Sequence, residues 1–199
     1  MSNLPDADAS ARWMEALAHG SDEALDPLIE AWEAPLHRFI HRYVREDTAA
    51  RDLTQETFVR LYQNRERFRP GEVFAPWAFT IAANLCRNHR RWRWRHRAEP
   101  LDCNDAHGVA HPSDTASPDE QLVSAETKRA VLAAIEVLPP DLRLTVLLFE
   151  FDELSYRDIA TIVGCSERGI ETRLARARVR LRASLGSLWE EILCEVRVR

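Results

Sequence analysis

No apolar run in this chain approaches the eighteen or so residues that a membrane-spanning helix needs. Its opening, MSNLPDADAS, is acidic where a signal peptide is basic, so the sequence predicts a cytoplasmic protein with no membrane insertion. The four cysteines, 86, 103, 165 and 194, form no C-x-x-C pair, which argues against a zinc ribbon and a disulfide framework alike. Also missing are a glycine-rich phosphate loop, a nucleophile elbow and clustered carboxylates, and the histidines are dispersed. The sequence therefore predicts no enzyme, no cofactor and no metal. One spacing points the other way: Cys103, His107 and His111 fall four apart, as ligands on one helical face would. Gly108 and Pro112 make that setting a loop, and a polar linker is the simpler reading.

What is present is charge in two places. From Arg87 to Arg97 there are arginines at 87, 90, 91, 93, 95 and 97, tryptophans at 92 and 94, and no acid. Glu167 to Arg182 holds arginines at 168, 173, 176, 178, 180 and 182 against two glutamates. The first stretch carries +6 and the second +4, yet the whole chain is −5, which leaves the remainder at −15. Guanidinium groups neutralise phosphates, and interleaved rings offer stacking faces to unpaired bases. Basic runs also serve membranes and acidic partners. Two basic stretches on an acidic body imply contact with nucleic acid at two places without non-specific coating.

Helical periodicity organises the rest, and the fold class expected is all-α. Residues 1–10 are polar and expected to be disordered. Ala11 to Ala18 and Asp22 to Val44 carry Trp13, Leu17, Leu28, Trp32, Leu36, Phe39 and Tyr43 at helical spacing. In Thr48 to Phe68, Ala50, Leu53, Thr57, Phe58 and Leu61 share one face, with Asp52, Gln55, Glu56, Val59 and Gln63 opposite. Arg69-Pro70-Gly71-Glu72 breaks the helix, and Trp77, Ile81 and Leu85 then lead into the first basic run. Residues 98–119 lack periodicity and contain prolines and acids, so they read as a linker between two domains, 11–97 and 120–185. Beyond a short apolar stretch, Leu142 to Phe151, comes helix-turn-helix punctuation: Ala160, Gly164 at the turn, and Ile170. Ile170, Leu174, Ala177 and Leu181 form the anchoring stripe of its second helix, with Ser166 as N-cap. Residues 186–199, with Trp189, Ile192 and Leu193, read as a helical tail that closes the fold or docks a partner.

DLTQETFVRLY at 52–62, WAFTIAAN at 77–84, LPPDLR at 138–143 and LSYRDIATIVGCSERGIETRLARAR at 154–178 stand in one order. With them the chain resembles a bacterial RNA polymerase sigma factor of the extracytoplasmic-function group, over about residues 15 to 97 and 120 to 185. The resemblance implies a helical region 2 domain and a helix-turn-helix region 4 domain, joined by an irregular acidic linker threading the polymerase. It implies core RNA polymerase as partner, through its largest-subunit clamp and its flap, with Asp52, Gln55, Glu56 and Val59 docking on the clamp. At the minus-thirty-five element, Ser166, Arg168, Glu171 and Thr172 would meet the major groove, with Arg173 and Arg176 on phosphates. At the minus-ten element, Phe68, Arg69, Phe74 and Trp77 would frame a pocket for a flipped base, and Asn84 would bond an exposed base edge. Arg87, Arg90, Arg91 and Arg93 would hold the backbone; Trp77 reads equally well as core. Glu171 and Arg168-Gly169 depart from the family's usual residues there, and a carboxylate at 171 suits cytosine N4. An anti-sigma partner is also implied. The alternative reading is a free-standing helix-turn-helix regulator with an N-terminal sensor or dimerisation domain.

Overall fold

Helix α1 (Ala7–Ala18) begins where the Asp6 carboxylate accepts the Ala9 N–H at 2.7 Å, capping donors that have no helical partner. The structure, a computed structural model, describes residues 4–96, 118–186 and 188–189, with residues 118–125 defined by backbone only. The segment expected to be disordered through residue 10 is thus helical from Ala7. The physical reason is a buried anchor: Ser10 Oγ accepts the Trp32 indole N–H at 2.9 Å. The linker at 98–117 and its Cys103, His107 and His111 lie outside the described residues, as do Ile192 and Leu193.

A 3-10 turn (Asp22–Ala24) leads into α2 (Leu25–Val44), which ends on Arg45 at φ 61°. Then come α3 (Asp47–Gln63), a 3-10 turn (Arg65–Arg67) and α4 (Phe74–His96). The third helix stops at Gln63, short of the expected Phe68, and Phe68 is instead a buried extended residue beneath the loop before α4. The N-terminal bundle is built round an edge-to-face aromatic cluster: Trp32 lies 4.9 Å from Phe74, and Phe39 lies 5.2 Å from Phe79.

The C-terminal bundle comprises α5 (Pro118–Val137), α6 (Pro140–Glu150), α7 (Tyr156–Val163) and α8 (Glu167–Leu185). Pro140 suits the first turn of α6 because its missing N–H would have been unpaired there. Gly164 ends α7 at φ 74°, a left-handed conformation that favours glycine, and its N–H returns to Ala160 O. Ser155 and Ser166 cap α7 and α8 by accepting the N–H groups of Asp158 and Gly169. Among the described residues there are eight α-helices and no strand.

The two bundles are docked, with α2 against α6 and α4 against α7. α6 is therefore covered all round, and Leu142 through Leu148 are all buried. Arg143, 2% exposed, places its guanidinium 5.8 Å from the ring of buried Tyr43. Arg42 reaches across to Asp152 at 3.5 Å and lies over the Phe151 ring at 4.7 Å, while Arg45 approaches Glu136 at 4.0 Å. Burial pushes the Asp152 carboxyl up to about 7 despite the pull of Arg42 and Arg38. It also pushes the Arg42 guanidinium down and the Tyr43 hydroxyl up to about 12.

Candidate nucleic-acid interface

α4 is one uninterrupted helix that is core at its start and basic at its end. At about 100° per residue, Asn84, Asn88, Arg91 and Arg95 fall along one line, and all four are exposed. Arg90 and Arg93 fall on the other side. Arg93 is paired with Glu46, and Arg90 lies 5.9 Å from the Tyr43 ring with its Nη1 shielded from solvent. Arg90, expected on phosphates, is therefore turned toward the protein body, and Arg93, though exposed, is engaged with Glu46. Arg95, within the basic run expected on phosphates, stands on the free face, as does Asn88, which was not singled out; the helical phase of Asn84 was the signal that pointed to it. Arg87 is half-buried and donates to Asn84 Oδ1 at 3.3 Å.

Trp92 and Trp94 flank this line. Trp92, 53% exposed, stacks on His96 with centroids 4.7 Å apart, whereas Trp94 is 78% exposed. Before α4, Glu72 N–H donates to Arg69 O at 3.0 Å around Gly71 at φ 81°, the geometry of a Pro-Gly type II turn. Phe68 and Phe74 are buried, so neither presents a ring face to a base. They form a platform: Trp77, half-buried, stands 5.4 Å from Phe68 and 6.2 Å from Phe74. Arg69 and Val73 are exposed beside it.

In α8 the buried line Ile170, Leu174, Ala177 and Leu181 faces the bundle, and the opposite side presents Arg168, Glu171, Thr172 and Arg176 to solvent. Ser166 is exposed, its Oγ engaged as the cap. Arg173 is different: it is half-buried, 3.9 Å from Asp141 of α6, with its Nη1 shielded. It serves the helix packing rather than the outer face, while Arg178, itself exposed, pairs with Glu150 from the other flank at 3.4 Å. On α3, Asp52, Gln55 and Val59 are exposed and Glu56 is half-buried, bonded to Arg60 at 2.7 Å. Val59 leaves 48% of its surface in water at the centre of that polar face.

Two family models match the chain, Sigma-70 region 2 over residues 28–96 and Sigma-70 region 4 over residues 128–181. The RNA polymerase sigma-H factor of Pseudomonas aeruginosa is 31% identical over 182 residues, covering 89% of this chain and 94% of that one. The chain belongs to the sigma-70 family, in its extracytoplasmic-function group. It is a sigma factor directing promoter-specific transcription initiation, and its two bundles are sigma regions 2 and 4. The sigma-E factor of Haemophilus influenzae is 30% identical over 169 residues, covering 83% of this chain and 89% of that one. Among solved structures, CnrH in complex with the cytosolic domain of CnrY matches with a TM-score of 0.67 at 23% identity, covering 89% of this chain and 97% of that one. At that identity it shows the fold alone. RpoE from Bartonella quintana, in complex with the anti-sigma factor NepR, matches with a TM-score of 0.63 at 26% identity, covering 81% and 96%. No helix among the described residues of the sigma factor is long and apolar enough to cross a membrane.

Proposed function

We propose that the outer line of α4 and the turn before it receive the minus-ten element, while the outer face of α8 reads the minus-thirty-five element. The observation that carries this is the division of both basic helices into an inward side bonded to the protein and an outward side left to solvent. On α4, Asn84 and Asn88 offer amide groups to base edges, Arg91 and Arg95 meet phosphates, and Trp77 and Trp94 offer stacking faces. On α8, Arg168, Glu171 and Thr172 stand within the first turns, where a recognition helix meets bases in the major groove, and Arg176 follows on the backbone. The α3 face, Asp52, Gln55, Glu56 and Val59, is the docking surface for core RNA polymerase, a polar rim around one exposed valine. The protein acts in the cytoplasm, has no catalysis of its own, and is held in check by an anti-sigma protein, as the RpoE of Bartonella quintana is found bound to one.

The docked arrangement sets a condition on this activity. The two elements lie about 25 base pairs apart, about 85 Å at 3.4 Å per step, whereas α4 and α7 are in direct contact. Both elements are engaged together only after region 4 leaves region 2. The roughly 20 residues between His96 and Pro118 reach about 70 Å when extended, enough for that separation once the bundles' own width is added.

Run-off transcription with core polymerase on fragmented genomic DNA tests the whole reading. Promoter-specific products that appear only when both proteins are present support it. Sequence-specific footprints from the sigma factor alone would favour a free-standing regulator.

A further inference from the structure

We propose that Glu15 is a positioning residue for strand opening, holding the Arg69–Glu72 turn in the shape that receives a displaced base. The inference rests on the minus-ten reading above and adds a residue from α1, far from the basic run in sequence. In the turn, the peptide before Gly71 points its N–H outward, away from the Arg69–Glu72 bond. That N–H donates to Glu15 Oε1 at 3.0 Å across 56 residues of chain. The Arg69 N–H is held as well, donating to the Glu72 carboxylate at 3.3 Å. The turn is thus fixed at three points, two of its own and one from α1.

α1 can act as a fixed arm because it is anchored on both sides of Glu15. Met14 and Leu17 are buried in the region 2 core, and Ser10 is tied to Trp32. The turn in turn carries Val73, 54% exposed, next to Trp77 on its Phe68 and Phe74 platform. Val73 and Trp77 stand four residues apart at the start of α4, and the turn joins them to exposed Arg69. A carboxylate beside a surface that meets a polyanion repels it. Its position is explained if it is consumed in ordering backbone: a carboxylate accepting an N–H makes a stronger bond than a neutral acceptor, and a pre-ordered loop loses less entropy on capture.

The test uses holoenzyme assembled with core polymerase and a single-stranded non-template oligonucleotide spanning the minus-ten element of a promoter found by run-off transcription. A second set of oligonucleotides carries one abasic site at each position in turn, and the position of greatest loss defines the captured base. Glu15→Ala is expected to weaken binding of the intact oligonucleotide about fivefold. It should leave the oligonucleotide lacking the captured base unchanged, with core binding as in wild type. Glu15→Gln, which keeps an acceptor, is expected to restore most of the loss. Equal losses on the intact and abasic probes overturn the proposal, as does a fall in core binding, which would make Glu15 a fold residue only. Failure of Glu15→Gln to rescue also overturns it. If wild-type holoenzyme shows no dependence on any abasic position, the minus-ten reading itself fails, and this proposal falls with it.

Discussion

The two basic helices of this sigma factor, α4 and α8, divide their arginines differently. In α8 half-buried Arg173 and the flanking, exposed Arg178 pair with acids of α6 in the same bundle. In α4 the inward arginine Arg90 lies beside Tyr43, close to the seam with region 4, and Arg93 pairs with Glu46. One helix is thus oriented by its own bundle and stays so when the regions part. The other has part of its environment supplied by the partner region, so its inner face changes when they separate. Counting arginines gives the two helices nearly the same weight, five against six; helical phase shows which of them face outward.

The largest expected effects test whether the regions stand independently. Trp32→Ala in region 2 is expected to cost about 3–5 kcal/mol, and Leu174→Ala in region 4 about 2–5 kcal/mol, both measured by denaturant unfolding. A single shifted transition in each variant would show one cooperative unit; two transitions would show that docking is weaker than either core. Next comes the division of α4. Arg91→Ala with Arg95→Ala is expected to lower the salt dependence of holoenzyme binding to promoter DNA by about 2 in log–log slope. Arg90→Ala with Arg93→Ala should leave that slope unchanged, and equal slopes for the two pairs would break the assignment of faces.

The corresponding contrast in α8 is smaller. Arg168→Ala is expected to cost about 1–3 kcal/mol at one base position in a promoter library. Glu171→Ala should erase a preference for cytosine, and a library unaffected by it would remove that contact. Arg173→Ala should change no base preference and lower stability by about 0.5–1 kcal/mol.

The smallest effect is on docking itself. Burial pushes the Asp152 carboxyl up to about 7 in the docked form, and if separation of the regions returns it to water the open form holds its proton less tightly. Docking is therefore strongest below the ordinary carboxylate range, weakens as pH rises toward about 7, and levels off above it. His41 and His89 are also pushed down from 6.5 by burial, but the charges that act on them all belong to region 2. Between pH 6.5 and 8 the Asp152 contribution by itself lowers the docked fraction roughly fourfold relative to the open one. Small-angle scattering of the free protein should show a larger radius at pH 8, and Asp152→Asn should flatten the difference.

The helices and the helix-turn-helix were legible because their punctuation is local: Ser166 caps, Gly164 turns, and Ile170 to Leu181 repeat at helical spacing. The free face of α3 was legible for the same reason. What escaped was long-range. Phe68 and Phe74 looked like pocket walls, yet an aromatic beside a loop signals a buried platform equally well, and only the cluster with Trp32 decides. Arg173 looked outward on a helical wheel until Asp141, from another helix, claimed it. The docking of the two regions did leave a trace. Apart from Arg143 and Thr145, Leu142 to Leu148 is apolar, more than one face of a helix in a small bundle needs, and α2 packs against α6 from the other region.

α4 is 23 residues long, about 34 Å of unbroken helix. Inserting one residue between Phe79 and Asn84 would turn everything beyond it by about 100° and shift it by about 1.5 Å, putting Ala83, Arg87, Arg90 and Trp94 on the outer line in place of Asn84, Asn88, Arg91 and Arg95. Substitution can retune what this helix reads, one side chain at a time. Insertion or deletion cannot, so the lineage of this sigma factor is free to drift in the spelling of α4 but not in its length.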